Sequence, residues 1–94
     1  ITAAHAAGAD IVKLFPAGAL GVEYFKAIKA PLRHIPVAAV GGVTPENLLL
    51  FKKAGACAYG ISTGIFSATA IKSEDYEHVR LLAREYVRLA AQQD

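Results

Sequence analysis

Lys13 occupies an unusual position for a charged residue. It lies in the run Asp10-Ile11-Val12-Lys13-Leu14-Phe15, apolar on both sides, with Pro16 following. Such a run reads as a buried strand in which alternation places Ile11, Lys13 and Phe15 on one face and Val12 and Leu14 on the other. An ammonium taken out of water loses several kcal/mol of hydration unless it is paired or gives up its proton. Desolvation favours the neutral amine, and the neutral amine is the form that attacks a carbonyl to make a Schiff base. The alternative is a lysine on an edge strand, or one whose stem lies on apolar surface while its head stays in water.

Two further runs carry binding chemistry. Val40-Gly41-Gly42-Val43-Thr44-Pro45-Glu46-Asn47 reads as a strand end, a glycine pair and a helix start. Glycines let the backbone approach an anion closely, and a helix start presents free N–H groups to it. Gly60-Ile61-Ser62-Thr63-Gly64 repeats the small, hydroxylic character after the next strand. Each loop alone could be only a tight strand-to-helix turn. Together, downstream of an apolar strand bearing a lysine, they match the phosphate cradle formed by successive strand-end loops of a (β/α)8 barrel.

The elements that would position these groups alternate. Residues 2–7 are helix-prone and end at Gly8, and residues 11–15 form the first strand, stopped by Pro16, Gly18 and Gly21. Residues 22–30 place Val22, Phe25 and Ile28 on one helical side, and Pro31 ends the helix. Residues 36–40 form the second strand. Thr44 is then a hydroxyl N-cap, Pro45 a first helical residue and Glu46 an acid facing the dipole. Leu48, Leu49 and Phe51 are its apolar side, and Gly55 its end. Residues 58–62 form the third strand, and Ser73-Glu74-Asp75 caps a last helix with Tyr76, Val79, Leu82, Ala83, Tyr86 and Ala90 at helical period. A weak repeat, Ala7-Gly8-Ala9-Asp10-Ile11 and Ala54-Gly55-Ala56-Cys57-Ala58, marks the same helix-to-strand junction twice. Near-continuous apolar strands alternating with helices imply parallel strands and an α/β class, with doubly wound sheet and (β/α)8 barrel both open.

Composition narrows the function classes. At 94 residues and 54% hydrophobic, the chain is one globular domain at most, and a net charge of +2 with scattered lysines argues against nucleic acid and membrane surfaces. No apolar run reaches the length of a membrane span. The single cysteine excludes an internal disulfide and fits a cytoplasmic protein. A start at Ile1 and the absence of methionine lead us to expect a piece of a longer chain.

The run from Asp10 to Ala17 resembles the Schiff-base strand of the KDPG/KHG aldolase family, and the run from Ala39 to Leu48 is similar to that family's phosphate loop. The resemblance extends over essentially all 94 residues in order, and the wording Val-Gly-Gly-Val-Thr-Pro-Glu-Asn is nearest the family's phosphogalactonate branch. The phosphogluconate branch more often has threonine at the position of Val40. The resemblance implies a partial (β/α)8 (TIM) barrel over residues 1–94, covering about strands six to eight with their helices. It implies a lyase that splits a 2-keto-3-deoxy-6-phospho sugar acid into pyruvate and D-glyceraldehyde 3-phosphate. Lys13 would form the imine, Phe15 would wall the pocket, and the N–H groups of Gly41 and Gly42 would hold the phosphate with Ser62 and Thr63. The family usually has Gly-Ser where this chain has Ser62-Thr63, which puts a side chain where close backbone approach is wanted. No metal or organic cofactor is implied, and a homotrimer is. The family's proton-shuttling glutamate and its carboxylate-binding arginine and threonine come from early strands that these residues do not include. Glu23 and Glu46 do not replace them, because both lie at helix starts.

The remaining candidates have structural readings. His5 and His78 fall in helices and His34 in a loop, without metal-ligand spacing. Arg33 lies at the end opposite the chemistry, Cys57 reads as a small buried hydrophobe, and Tyr76 and Tyr86 read as packing against the strands. Three strands cannot close a barrel, so Ile11, Phe15 and the glycine loops are expected to lie bare unless another segment or chain covers them. Two other readings compete with the aldolase. One is another phosphate-binding barrel, such as a thiamine-phosphate or tryptophan-pathway enzyme with Lys13 merely structural. The other is a polypeptide inert by itself and useful only in assembly.

Overall fold

The structure, a computed structural model, describes residues 1–92. Its centre is a three-stranded parallel sheet in the order β1-β2-β3, with β1 at Val12–Leu14, β2 at Val37–Val40 and β3 at Ala58–Gly60. The helix α1, Thr2–Ala6, precedes β1. Between β1 and β2 run α2, Ala17–Leu20, and α3, Val22–Lys29, followed by one 3-10 turn at Ala30–Leu32. The helix α4, Leu48–Lys53, joins β2 to β3, and α5, Ala68–Lys72, and α6, Tyr76–Ala91, follow β3. The α/β class is therefore as the alternation implied.

All three strands are shorter than their apolar runs. Pro36 has no N–H for the ladder, although its carbonyl still accepts from Val12 N at 2.9 Å. Beyond Gly60 the chain folds into a turn in which Ser62 O accepts from Ile65 N and Phe66 N, at 3.0 and 2.7 Å. The register pairs Val12 with Val37, Lys13 with Ala38 and Leu14 with Ala39, and then Ala38 with Ala58, Ala39 with Tyr59 and Val40 with Gly60. Neighbours in a parallel ladder point to the same side. Val12, Leu14, Val37, Ala39 and Tyr59 thus share one face, and Lys13, Ala38, Val40, Ala58 and Gly60 share the other.

The first face carries the core. Val37, Ala39, Phe25, Phe51, Ile35 and Leu48 are all at most 1% exposed, and the rings of Phe25 and Phe51 meet edge to face at 5.6 Å where α3 packs on α4. Polar groups close the ends of this layer. Lys29 Nζ donates to the carbonyls of Leu32 and Ile35 at 3.2 and 2.6 Å, tying the end of α3 to the segment that enters β2. Lys52 Nζ donates to Ala90 O at 3.0 Å and to Gln92 O, which ties α4 to the end of α6. The second face has no such cover: Lys13 is exposed, and Ile11 and Phe15 are 52% and 62% exposed. Lys13 is therefore not buried as its apolar strand implied, because nothing among the described residues packs over that face.

Several local expectations need correction. The α4 helix begins at Leu48, and Thr44-Pro45-Glu46 form the turn leading into it. Cys57 is exposed, since it precedes the ladder on the entry side of β3. Tyr86 is buried, but Tyr76 is 62% exposed, because the first residue of α6 extends past the layer beneath it. The cap of α6 is Asp75 alone, accepting from His78 N at 3.1 Å, while Ser73 Oγ donates back to Thr69 O at the end of α5. Helices α2 and α5 add to the elements expected from the alternation. The rings of His5 and His34 meet edge to face at 5.5 Å, a packing role. Among the described residues no helix is long and apolar enough to cross a membrane.

Candidate active site

The glycine loop after β2 is shaped by what lies against it. Gly18 N, in α2, donates to Gly41 O at 2.7 Å, and a Cβ on Gly18 would stand 2.6 Å from Gly42 O. The loops after β1 and β2 are thus in backbone contact, and only glycine at position 18 allows it. Gly41 has φ +90°, and a Cβ there would stand 2.6 Å from Phe15 Cε2. The absence of a side chain at Gly41 is therefore what admits the Phe15 ring. The Phe15–Pro16 peptide is cis. On the strand itself, Lys13 Nζ lies 5.5 Å from the centre of the same ring. Phe15 consequently connects the lysine to the glycine loop.

Phe15, Gly41, Gly42, Ser62 and Thr63 line one cleft of about 540 Å³, together with Val40, Val43, Thr44, Gly60, Ile61 and Gly64. The structure therefore brings together five of the six site residues expected from the sequence, with Lys13 beside them across the Phe15 ring. Backbone groups around the cleft are ordered in a consistent sense. Asn47 Nδ2 donates to Gly42 O at 3.0 Å, and Asn47 Oδ1 accepts from Thr44 N at 2.7 Å. Thr44 Oγ1 accepts in return from Asn47 N at 3.3 Å. In a planar trans peptide the N–H points opposite to the C=O. Fixing Gly42 O on Asn47 therefore turns Val43 N–H away from Asn47. In the next loop, Ser62 O is held by Ile65 N and Phe66 N, which turns Thr63 N–H away from that turn.

Among the described residues, no acceptor takes the N–H groups of Gly42, Val43, Thr63 or Gly64. Four backbone donors at two adjacent loops form the kind of concavity that suits an oxyanion. The Thr44 N–H is not among them, because Asn47 already uses it. Asn47 is a site residue to which the glycines and hydroxyls of the loops do not themselves point. The signal was present as the reciprocal capping pattern of a hydroxyl residue followed three positions later by a polar side chain, here asparagine in place of glutamate. Glu23 lies in the first turn of α3 and Glu46 in the turn before α4, so neither stands on the strand face with Lys13.

Residues 1–82 match the family described as KDPG and KHG aldolase. The chain belongs to that family. Over 63 residues it is 48% identical to a 2-dehydro-3-deoxy-6-phosphogalactonate aldolase of Escherichia coli (strain K12), a match covering 66% of this chain and 31% of that protein. It is also 39% identical over 80 residues to a thiamine-phosphate synthase of Nitrosococcus oceani, covering 76% of this chain and 36% of that one. Among solved structures it superposes on a native KDPGal structure with a TM-score of 0.74 at 35% identity, over 97% of this chain and 45% of that chain. The chain spans about a third of the length of these curated relatives.

Proposed function

We propose that this chain supplies the Schiff-base lysine and the phosphate cradle of a class I aldolase. Its three strands are then strands six to eight of a (β/α)8 barrel. The reaction is the reversible cleavage of a 2-keto-3-deoxy-6-phospho sugar acid to pyruvate and D-glyceraldehyde 3-phosphate. One observation carries the reading: Lys13 and Phe15 stand on the uncovered face of β1, and Phe15 packs directly on Gly41 of the donor-lined cleft. A substrate with a ketone at one end and a phosphate at the other can reach both.

In the proposed mechanism the neutral Lys13 amine adds to the C2 carbonyl and water leaves, giving an iminium. The C3–C4 bond then breaks as the C4 hydroxyl loses its proton, and the bonding electrons flow into the iminium to form an enamine. Protonation at C3 and hydrolysis release pyruvate and restore the lysine. The glycine pair Gly41 and Gly42, with the free N–H groups of Gly42 and Val43, and the Ser62–Thr63 loop, with those of Thr63 and Gly64, hold the phosphate, so that binding energy far from the reacting bond fixes the ketone near Nζ. The base for the C4 hydroxyl and the group that receives the carboxylate belong to strands outside these residues. The uncovered face, with Ile11 and Phe15 exposed, is the one the remaining strands of the barrel would cover, and the family resemblance leads us to assign a homotrimer to the assembled enzyme.

The relative named a thiamine-phosphate synthase supports a second reading, in which the cradle holds a phosphate while Lys13 does no chemistry. Both readings share the two loops and divide on the lysine. An assay of pyruvate release from the phosphogalactonate and phosphogluconate substrates, using the protein in its full length, separates them. Turnover lost in Lys13→Arg with phosphate binding retained supports the aldolase. Undiminished turnover in that variant overturns it. Faster turnover of the galactonate epimer is expected from the wording around Val40.

A further inference from the structure

We propose that Tyr86 is a positioning residue that sets the spacing of the two loops of the cleft from behind, an inference that rests on the phosphate-cradle reading above. Tyr86 lies in α6, 5% exposed, and is not among the residues that line the cleft. Its hydroxyl donates to Val43 O at 3.4 Å. A Cβ on Gly64 would clash with the same oxygen, and the ring carbon that bears it would stand 3.2 Å from that Cβ. Val43 and Gly64 both line the cleft, one in each loop. A single hydroxyl therefore touches the backs of both walls.

The contact acts on the peptide groups that matter. Val43 O and Thr44 N belong to one peptide plane. Asn47 holds its N–H end at 2.7 Å and Tyr86 holds its carbonyl end, so the plane is fixed from two sides. The adjoining plane, with Gly42 O on Asn47, carries Val43 N–H, and its tilt follows. On the other wall, Gly64 rests on the hydroxyl, next to Thr63. Burial pushes the Tyr86 pKa up, with Glu46 adding in the same direction, so the hydroxyl keeps its proton and remains a donor. The geometry explains why position 64 has no side chain: an alanine there would lever Tyr86 off Val43.

The test measures inorganic phosphate affinity by calorimetry and, separately, the rate at which pyruvate and borohydride label Lys13, both on the full-length protein. Tyr86→Phe keeps the ring and removes the clamp. Its phosphate Kd is expected to rise about twofold, the low end for one neutral hydrogen bond because 3.4 Å is long for a hydroxyl donor, with the labelling rate unchanged. Gly64→Ala is expected to weaken phosphate binding at least as much. The double variant is expected to match Tyr86→Phe alone, because the new methyl fills the space the hydroxyl left. Wild-type phosphate affinity retained in Tyr86→Phe overturns the clamp while leaving the cradle standing. A labelling rate that falls in step with phosphate affinity also overturns it, since it would mean a general loosening of the fold. A wild-type protein that binds no phosphate at these loops overturns the cradle and the clamp together.

Discussion

The two faces of this sheet are made from alternate residues of the same short strands, yet they have opposite characters. On one face Val37 and Ala39 are wholly buried beneath Phe25, Leu48 and Phe51. On the other, Lys13 and Phe15 stand in the open, one residue away along the chain from Val12 and Leu14. The covered face packs the strands on the helices; the uncovered face carries Lys13, to which we assign the chemistry. A strand with period two can serve both purposes because substitution on one side leaves the other nearly untouched.

Mutations can break that division. Phe51→Ala removes a ring that is 0% exposed and in contact with Phe25, and a loss of about 3–5 kcal/mol is expected for such a cavity. Lys13→Ala, on the bare face, should shift stability by no more than about 0.5 kcal/mol, in keeping with exposed substitutions. Denaturant midpoints measure both. Equal costs would show that the two faces are not independent.

Gly41 lies where the two characters meet. Gly41→Ala combines a positive φ of +90° with a Cβ driven into the Phe15 ring. We expect it to cost about 1–3 kcal/mol and to displace Phe15 from Lys13. Thermal unfolding together with the phosphate affinity reads out both effects. An unaltered phosphate Kd in this variant would separate Phe15 from the cleft.

The smallest effect concerns α6, remote from the open face. Hydrogen bonds from Arg80 and Arg88 hold the carboxyls of Glu77 and Glu85 below their usual range. Their folded pKa values lie below the unfolded value of 4.5, so this stabilisation is present above that value and fades as pH falls through the lower folded values. Both pairs are exposed, so the expected shift of the unfolding midpoint between pH 5 and pH 3 is slight. Glu77→Gln/Glu85→Gln should abolish that part of the pH dependence and leave Lys13 labelling as it was.

Some of this was readable in the residues and some was not. The strands could be located because glycine or proline bounds each apolar run, and the cleft residues because glycines and hydroxyls recur at two successive strand ends. Ladder ends were less clear, since Ile11, Phe15 and Ile61 are apolar without being paired. Helix α2 escaped notice because Ala17-Gly18-Ala19-Leu20 looks like a turn, and its Gly18 serves a contact with Gly41 that lies distant in sequence. Helix α5 had a usable signal in Ser67, whose Oγ accepts from Ala70 N at 3.1 Å. Burial was the hardest property to read. Lys13, Cys57 and Tyr76 all sit in patterns typical of covered positions, and whether anything covers them depends on elements elsewhere in space.

The most direct test of the central claim is reductive trapping. Borohydride reduces an iminium irreversibly, so pyruvate and borohydride should leave a three-carbon adduct that peptide mass spectrometry can locate. In the full-length protein we expect fast labelling confined to Lys13. The isolated 94-residue chain, with that face uncovered, should label slowly and no better at Lys13 than at Lys26 or Lys72. Fast, selective labelling of any other lysine in the full-length protein would contradict the assignment of Lys13 as the Schiff-base residue.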